Sequence, residues 1–374
     1  MKPAIFQHGK PFHLELGGSL PSLTIAYHTY GSLNEQADNV IWVCHALTAN
    51  SEVEQWWPGM VGEGKLMDPD RHFVVCANVV GSCYGTTGPL STDPETGLPW
   101  YRSFPEITVR DQVNAHELLR KHLGIQKIHT ILGGSLGGFQ ALEYSIMYPG
   151  VIENLVFIGS SVKISPWATA FNQSQRLALE ADPTFAEDRP YGGMSGLKAA
   201  RSIALLSYRN EQTYQKTQQE RNESKTRDLR ASSYQDYQGD KLVKRFDAYS
   251  YHTLSRIMDT HNVVRGRGSL GDAIGRIRAR VLSIGISSDI LFPVHEQKLL
   301  AHVSQGEYRE MDSAYGHDGF LIETDQLTGI INDFWNRNGA PGVPGEAPVR
   351  GSRIIPDAKR VNGKGRTVGA KRSA

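Results

Sequence analysis

The chain has 374 residues, of which 39% are hydrophobic, 21% charged and 9% aromatic. This composition excludes a wholly disordered protein and provides a core for one large domain with an insertion, or for two domains. No stretch of 18 uninterrupted apolar residues occurs, and the polar segment 1–10 lacks the apolar core of a signal peptide. We therefore expect no membrane span and a cytoplasmic protein.

Charge is nearly balanced, with 40 Lys and Arg against 39 Asp and Glu, but it is uneven along the chain. Eight basic and two acidic residues lie in 341–374, a net charge of +6, which leaves −5 for residues 1–340 out of the total of +1. A mildly acidic body gives no reason to expect nucleic-acid binding. The odd number of cysteines (Cys44, Cys76 and Cys83) and their spacing predict neither a disulfide framework nor a structural metal site.

Five apolar, β-branched runs predict strands that are buried on both faces: 40–44, 72–77, 128–132, 155–158 and 281–284. Helical patterns separate several of them. Thr108 with Asp111 predicts a capped helix that ends at Gly124, a second apolar stripe covers 136–146, and a third covers 327–334. Alternation of buried strands with helices predicts an α/β fold with a mostly parallel sheet.

One interval interrupts the alternation. No strand pattern occurs between about 161 and 275, whereas 195–208 and 236–258 are predicted as helices. We therefore predict a core of residues 1–162 and 276–338, a helical lid over 163–275, and a disordered basic tail over 339–374.

The segment from Gly133 to Gly138 contains the pattern Gly-x-Ser-x-Gly, with Ser135 between a predicted strand and a predicted helix. This is the context of a nucleophile elbow, in which a sharp turn presents the serine hydroxyl at the carboxyl end of the strand. A helix amino terminus behind the serine also favours developing negative charge. We predict that Ser135 is a nucleophile.

A serine nucleophile needs a base and a group that orients the base. In α/β-hydrolases the acid and then the histidine follow the serine along the chain. Asp289, just after the strand 281–284, and His317, in a Gly-His-Asp-Gly loop, have this order, while Asp312 is the competing acid. We also predict that the backbone N–H groups of Leu136 and Leu47 stabilise the oxyanion.

Together these residues resemble the homoserine O-acetyltransferase family of α/β-hydrolase-fold acyltransferases. The resemblance covers residues 12–335 and rests on five motifs: His45-Ala46-Leu47-Thr48, Trp56-Trp57, the segment 78–89, Gly133-Gly134-Ser135-Leu136-Gly137-Gly138 and Gly316-His317-Asp318. It implies an α/β-hydrolase fold with a helical lid and transfer of acetyl from acetyl-CoA, through an acyl-serine, to L-homoserine in methionine biosynthesis. It also implies Arg209 and Asp318 as substrate-binding residues, a homodimer, and no permanently bound cofactor or metal.

Several alternatives stay open at this level. The apolar segment 290–294 behind Asp289 offers no partner for a succinyl carboxylate, which favours acetyl over succinyl as the acyl group. A homoserine or serine O-succinyltransferase remains an alternative. Relatives that use succinyl-CoA resemble this chain closely, and serine, one methylene shorter than homoserine, differs in binding by only about 1–3 kcal/mol. A carboxylic-ester hydrolase with the same triad, and a non-enzymatic ligand-binding protein of the same fold, are the others.

Overall fold

The computed structural model describes residues 2–338, and the tail predicted over 339–374 lies outside them. The strands are β1 Ala4–His8, β2 Phe12–His13, β3 Ser19–Leu20, β4 Leu23–Tyr30, β5 Val40–Cys44, β6 Phe73–Ala77, β7 Ile128–Gly134, β8 Ile152–Ile158, β9 Arg280–Ile286 and β10 Glu307–Met311. The α-helices are α1 Val53–Trp56, α2 Val109–His122, α3 Leu136–Met147, α4 Pro166–Glu180, α5 Met194–Tyr208, α6 Glu211–Gln218, α7 Arg230–Val243, α8 Ala248–Asp259, α9 Leu270–Ile274, α10 Val294–Ser304, α11 Gly319–Ile322 and α12 Thr324–Asn338.

Eight strands form one sheet in the order β1-β4-β6-β5-β7-β8-β9-β10, and β2 pairs only with β3. The five neighbouring pairs from β6 to β10 are parallel, whereas β1–β4 and β4–β6 are antiparallel. The predicted mostly parallel sheet is therefore confirmed. All five predicted strands are present, and three of them run two or three residues further at one end.

The sheet is covered on both faces, as its apolar strands predict. Along β5, Trp42 packs in one apolar cluster with residues of α2 and α3, while its neighbours Ile41 and Val43 pack in a second cluster with residues of α12. Thr108 and Asp111 form the predicted capping box at the start of α2, and Gly124 follows that helix with a φ of 69°.

The chain between β8 and β9 contains helices α4 to α9 and no strand of the sheet. The prediction of one helix over 236–258 is wrong, because α7 ends at Val243 and α8 begins at Ala248. Asp247 separates the two helices: its backbone is extended and its side chain accepts a hydrogen bond from the N–H of Ser250. This helical insertion follows β8, which comes after the turn between β7 and α3 that contains Ser135.

Candidate active site

Ser135 lies in the sharp turn between β7 and α3, with φ 58° and ψ −126°. A non-glycine residue at such a positive φ costs about 1–3 kcal/mol, which the surrounding structure must offset. Gly133 and Gly137, on either side of Ser135, leave no room for a side chain because other backbone atoms lie close to them. A Cβ on Gly133 would lie 2.4 Å from the backbone of Gly137, and a Cβ on Gly137 would lie 2.1 Å from the carbonyl oxygen of Cys44. The turn therefore has the strain and the packing of a nucleophile elbow.

His317 and Asp289 form the hydrogen bond that a base and its orienting acid need. His317 Nδ1 lies 2.7 Å from Asp289 Oδ2, and both side chains are almost fully buried. Asp289 Oδ1 in turn accepts hydrogen bonds from the N–H groups of Leu291 (2.8 Å) and Phe292 (2.9 Å). Burial lowers the pKa of His317, but the negative charges of Asp289 and Asp318 outweigh burial and leave that pKa raised.

Phe320 links the histidine loop to the serine turn. A Cβ on Gly134, the residue before Ser135, would lie 2.7 Å from the Phe320 ring, and this ring packs edge-on against His317 with 5.6 Å between centroids. The carbonyl oxygen of Phe320 accepts a hydrogen bond of 2.9 Å from the indole N–H of Trp57. The buried indole therefore fixes the segment that carries the histidine beside the elbow.

The competing acid, Asp312, does not face the histidine. Its carboxylate accepts a hydrogen bond of 3.0 Å from the hydroxyl of Ser287, and its N–H donates to the side chain of Gln326. The structure thus pairs His317 with Asp289, the acid that the chain order favours.

Arg209 and Asp318 lie together, with 2.9 Å between Arg209 Nε and Asp318 Oδ2. Arg209 directly follows α5, and the histidine loop approaches it closely because Gly316 has a φ of 62° and no side chain. A Cβ there would lie 2.8 Å from the carbonyl oxygen of Tyr208. Burial raises the pKa of Asp318, although the nearby Arg209, Arg201 and His317 oppose that effect.

The loop after β5 is fixed against the start of α3. Gln140 Nε2 donates to the carbonyl oxygens of His45 (3.2 Å) and Leu136 (3.1 Å). His45 Nε2 accepts a hydrogen bond from the N–H of Val79, and burial lowers the pKa of His45 to about 4, so this imidazole is neutral and structural. Leu47 is buried in the same loop, which brings the two predicted oxyanion residues to neighbouring elements.

Sequence reasoning missed Tyr208, although it directly precedes Arg209 in the chain. Its ring lies 5.9 Å from the imidazole of His317, between centroids, and burial raises the pKa of its phenol. The guanidinium of Arg201 lies over the same ring, 5.5 Å from its centroid. An aromatic residue beside a predicted substrate-binding arginine was the only available signal.

Further features of residues 2–338 concern metal ligands, helix length, thiols and a cavity. No group of three metal-ligating side chains occurs in this part of the chain, and none of its helices is long and apolar enough to cross a membrane. Cys44, Cys76 and Cys83 are free thiols whose pKa values burial raises, in Cys83 to about 12. A cavity of about 620 Å³ lies apart from Ser135, between the segment 101–107 and helix α8.

Comparison with known proteins shows the family and the fold of this chain. Residues 39–324 match the family model described as alpha/beta hydrolase fold. A homoserine O-acetyltransferase of Cyclobacterium marinum is 46% identical over 90% of this chain and 96% of its own length. A homoserine O-acetyltransferase of Thermus thermophilus is 41% identical over 88% of this chain and 90% of its own length. The crystal structure of homoserine O-acetyltransferase from Bacillus anthracis superposes with a TM-score of 0.82 at 26% identity and covers 90% of this chain and 98% of its own. Esterase E22 has a TM-score of 0.80 at 22% identity, which shows a shared fold.

Proposed function

Since this chain belongs to the homoserine O-acetyltransferase family of α/β-hydrolase-fold proteins, we propose how its own residues transfer an acetyl group from acetyl-CoA to homoserine. The activity is that of an O-acyltransferase, and its product is O-acetylhomoserine. The observation that carries the mechanism is the 2.7 Å hydrogen bond between His317 and Asp289 beside the strained turn of Ser135.

In the first half-reaction, His317 Nε2 takes the proton of the Ser135 hydroxyl as the oxygen attacks the thioester carbonyl. Asp289 accepts the Nδ1–H bond, which selects this tautomer and stabilises the imidazolium that forms. The tetrahedral intermediate collapses by breaking the carbon–sulfur bond. His317 returns its proton to the departing CoA thiolate, and Ser135 remains acetylated.

The oxyanion of the tetrahedral intermediate is stabilised by two backbone N–H groups, those of Leu136 and Leu47. Leu136 begins α3, so the helix amino terminus adds favourable partial charge. The proposal for Leu47 is supported by the hydrogen bonds of Gln140, which hold its loop against the first turn of that helix. Loss of one such donor typically costs about 10²- to 10³-fold in rate.

In the second half-reaction, the γ-hydroxyl of homoserine gives its proton to His317 and attacks the acetyl-serine. We propose that Arg209 binds the substrate carboxylate and Asp318 its ammonium group. The ion pair between Arg209 and Asp318 (2.9 Å) supports this role. When homoserine binds, its carboxylate can replace Asp318 as the partner of Arg209, and its ammonium group can replace Arg209 as the partner of Asp318. Collapse of the second intermediate breaks the bond between the acetyl carbon and the Ser135 oxygen, to which His317 returns the proton, and the ester is released.

The acyl donor is acetyl-CoA, and we propose that the enzyme discriminates against succinyl-CoA. Behind the triad acid, Leu291 and Phe292 are buried and apolar, and they use their backbone N–H groups on Asp289. A buried succinyl carboxylate would find no cation in this segment, and an unpaired buried charge is costly. We further propose that the enzyme works as a cytoplasmic homodimer in methionine biosynthesis, with no permanently bound cofactor.

The experiment follows thiol release from acetyl-CoA and from succinyl-CoA, with homoserine, with serine and with neither acceptor. We expect a stoichiometric burst from acetyl-CoA alone and continuous release only when homoserine is added. Ser135→Ala should abolish both. Equal steady release with and without homoserine would identify an ester or thioester hydrolase, and faster turnover with succinyl-CoA or with serine would overturn the choice of substrates.

A further inference from the structure

The segment 78–89 distinguishes this chain from general α/β-hydrolase patterns, yet it contributes no residue to the proposed chemistry. It begins just after β6 and lies between the loop that carries Leu47 and the helical insertion. Residues 45–51, which include Leu47, are called the oxyanion loop below, and the segment 78–89 is called the brace. The contacts of the brace join the helical insertion to the oxyanion loop.

On the side of the core, this segment fixes both ends of the oxyanion loop. The N–H of Val79 donates to His45 Nε2 (3.1 Å), just before Leu47 in the chain. The amide of Asn78 accepts from the N–H of Ser51 (2.8 Å) and donates to the carbonyl oxygen of Tyr84 (2.9 Å). Hydrogen bonds therefore join the segment to the loop at His45 and at Ser51.

On the side of the insertion, the same segment contacts the junction between α7 and α8. The rings of Tyr84 and Phe246 pack edge-on with 5.6 Å between centroids, and Cys83 Sγ lies 3.8 Å from the carbonyl oxygen of Arg245. A Cβ on Gly81, which has a φ of 92°, would lie 3.0 Å from the side chain of Thr253 in α8. Glycine there permits the close approach.

Arg245 spans the whole arrangement. Its Nη1 donates to the carbonyl oxygen of Thr48 (2.5 Å) and to the hydroxyl of Tyr84 (2.7 Å), and its Nη2 lies 3.5 Å from Thr48 Oγ1. One side chain from the insertion thus holds the oxyanion loop directly and the brace beside it.

The position of Thr48 makes this contact important. The N–H of Ala49 donates to the carbonyl oxygen of Ala46 (3.0 Å), so Leu47 and Thr48 are the two central residues of a tight turn. Restraining the Thr48 carbonyl therefore restrains the turn that also contains the Leu47 N–H. An oxyanion donor is effective only when it lies about 2.7–3.1 Å from the developing charge, so small displacements of this turn matter.

We propose that Arg245 is a positioning residue that sets the Leu47 N–H for the oxyanion and thereby couples the helical insertion to catalysis. This inference rests on the proposed role of Leu47 in acyl transfer. It predicts that loss of the Arg245 side chain slows formation of the tetrahedral intermediate in both half-reactions equally and leaves the binding of homoserine unchanged.

The test measures the rate at which a fluorophosphonate labels Ser135. In that reaction the serine oxygen displaces fluoride at phosphorus while negative charge develops on the phosphoryl oxygen, which the oxyanion donors stabilise, and neither acetyl-CoA nor homoserine is needed. We expect Arg245→Ala to slow labelling and the thiol burst by the same factor, about 10- to 100-fold, below the loss for deleting a donor outright. Arg245→Lys should recover part of the rate, since an ammonium group can still donate to the Thr48 carbonyl. Arg245 is exposed, so its truncation should leave the thermal midpoint near that of the native chain.

Arg102→Ala is the matched control. Arg102 is also an exposed arginine that contacts the insertion, through Asp188 and the carbonyl oxygen of Ala186, but it does not touch the turn at Thr48. Normal labelling of Arg245→Ala, or equal slowing in the control, would overturn the inference, as would a change confined to the KM of one substrate. If the native chain were labelled but released no thiol from acetyl-CoA, the proposed function would fail while the comparison of labelling rates still decided the role of Arg245.

Discussion

Asp289 is held by three hydrogen bonds, one to His317 and two from backbone N–H groups. Asp289→Asn keeps the shape of this residue but offers an amide that can turn its NH₂ toward Nδ1, which favours the wrong tautomer of His317. We expect kcat for homoserine acetylation to fall by about 10³- to 10⁴-fold with the fold intact. Asp312→Asn should leave kcat unchanged, and a similar loss in both variants would contradict the assignment of the acid.

Asp318 influences the pH at which His317 can act. The base must be neutral to accept the serine proton, so acylation falls as the pH falls through the pKa of His317, which Asp289 and Asp318 together hold raised. Asp318→Asn removes one negative charge and should shift the acidic limb of the pH profile to lower pH. The thiol burst from acetyl-CoA alone measures this without the acceptor. No shift, or a shift to higher pH, would show that Asp318 does not act on the base.

The sequence indicates the site residues unequally. Ser135, Asp289 and His317 can be predicted because strand ends and glycine-rich loops mark them and because their order along the chain is restricted. The ion pair of Arg209 with Asp318 could not be predicted, since no local pattern reports which two distant loops meet. The same holds for Arg245, whose partners Thr48 and Tyr84 follow other strands.

The loop of His317 meets the end of α5 at Gly316, where both a positive φ and backbone contact exclude a side chain. Gly316→Ala should lower the free energy of unfolding by about 1–2 kcal/mol from the backbone conformation alone. The new Cβ would also push the carbonyl of Tyr208 and the backbone of Arg209 away, so we expect the KM for homoserine to rise. Urea denaturation and steady-state kinetics measure the two effects.

Gly124→Ala is the control for this substitution, because Gly124 follows α2 with a φ of 69° and a Cβ added to it would have no neighbouring atom within 4 Å. It should lose a similar backbone contribution to stability while the KM for homoserine stays unchanged. If both alanine variants raised that KM alike, the contact between the histidine loop and α5 would not govern binding of the acceptor.

Strands and helices can be predicted from the sequence where they are buried on one face or on both, because their apolar residues then form a regular pattern or a continuous run. Five of the six parallel strands are predicted because they are largely apolar, whereas β10 is not, since it lies at the edge of the sheet and its sequence, Glu-Tyr-Arg-Glu-Met, is mostly polar. Helix α4 was also missed, because glutamine and serine interrupt its apolar pattern. Strand order cannot be read from such patterns, because pairing depends on contacts between distant segments.

The molecule as a whole has its proposed chemistry within residues 2–338, although contributions come from both parts of the core and from the insertion. The proposed homodimer can be measured by light scattering, which should give twice the 41.4 kDa of one chain. Because Arg245→Ala and Gly316→Ala alter contacts within one chain, both variants should keep the mass of the native protein. A monomer that retains full activity would remove the dimer from the proposal.

The basic segment 341–374 carries a net charge of +6, and the phosphates of acetyl-CoA are anionic. We expect a chain truncated after Asn338 to keep its kcat and its KM for both substrates, because all of the proposed site residues precede that point. If the segment attracted the donor instead, truncation would raise the KM for acetyl-CoA, and added salt would raise that KM in the full chain and leave the truncated chain unaffected, since ions screen exposed charges. Kinetics of both chains at low and high ionic strength therefore distinguish a solvated appendage from an electrostatic contact.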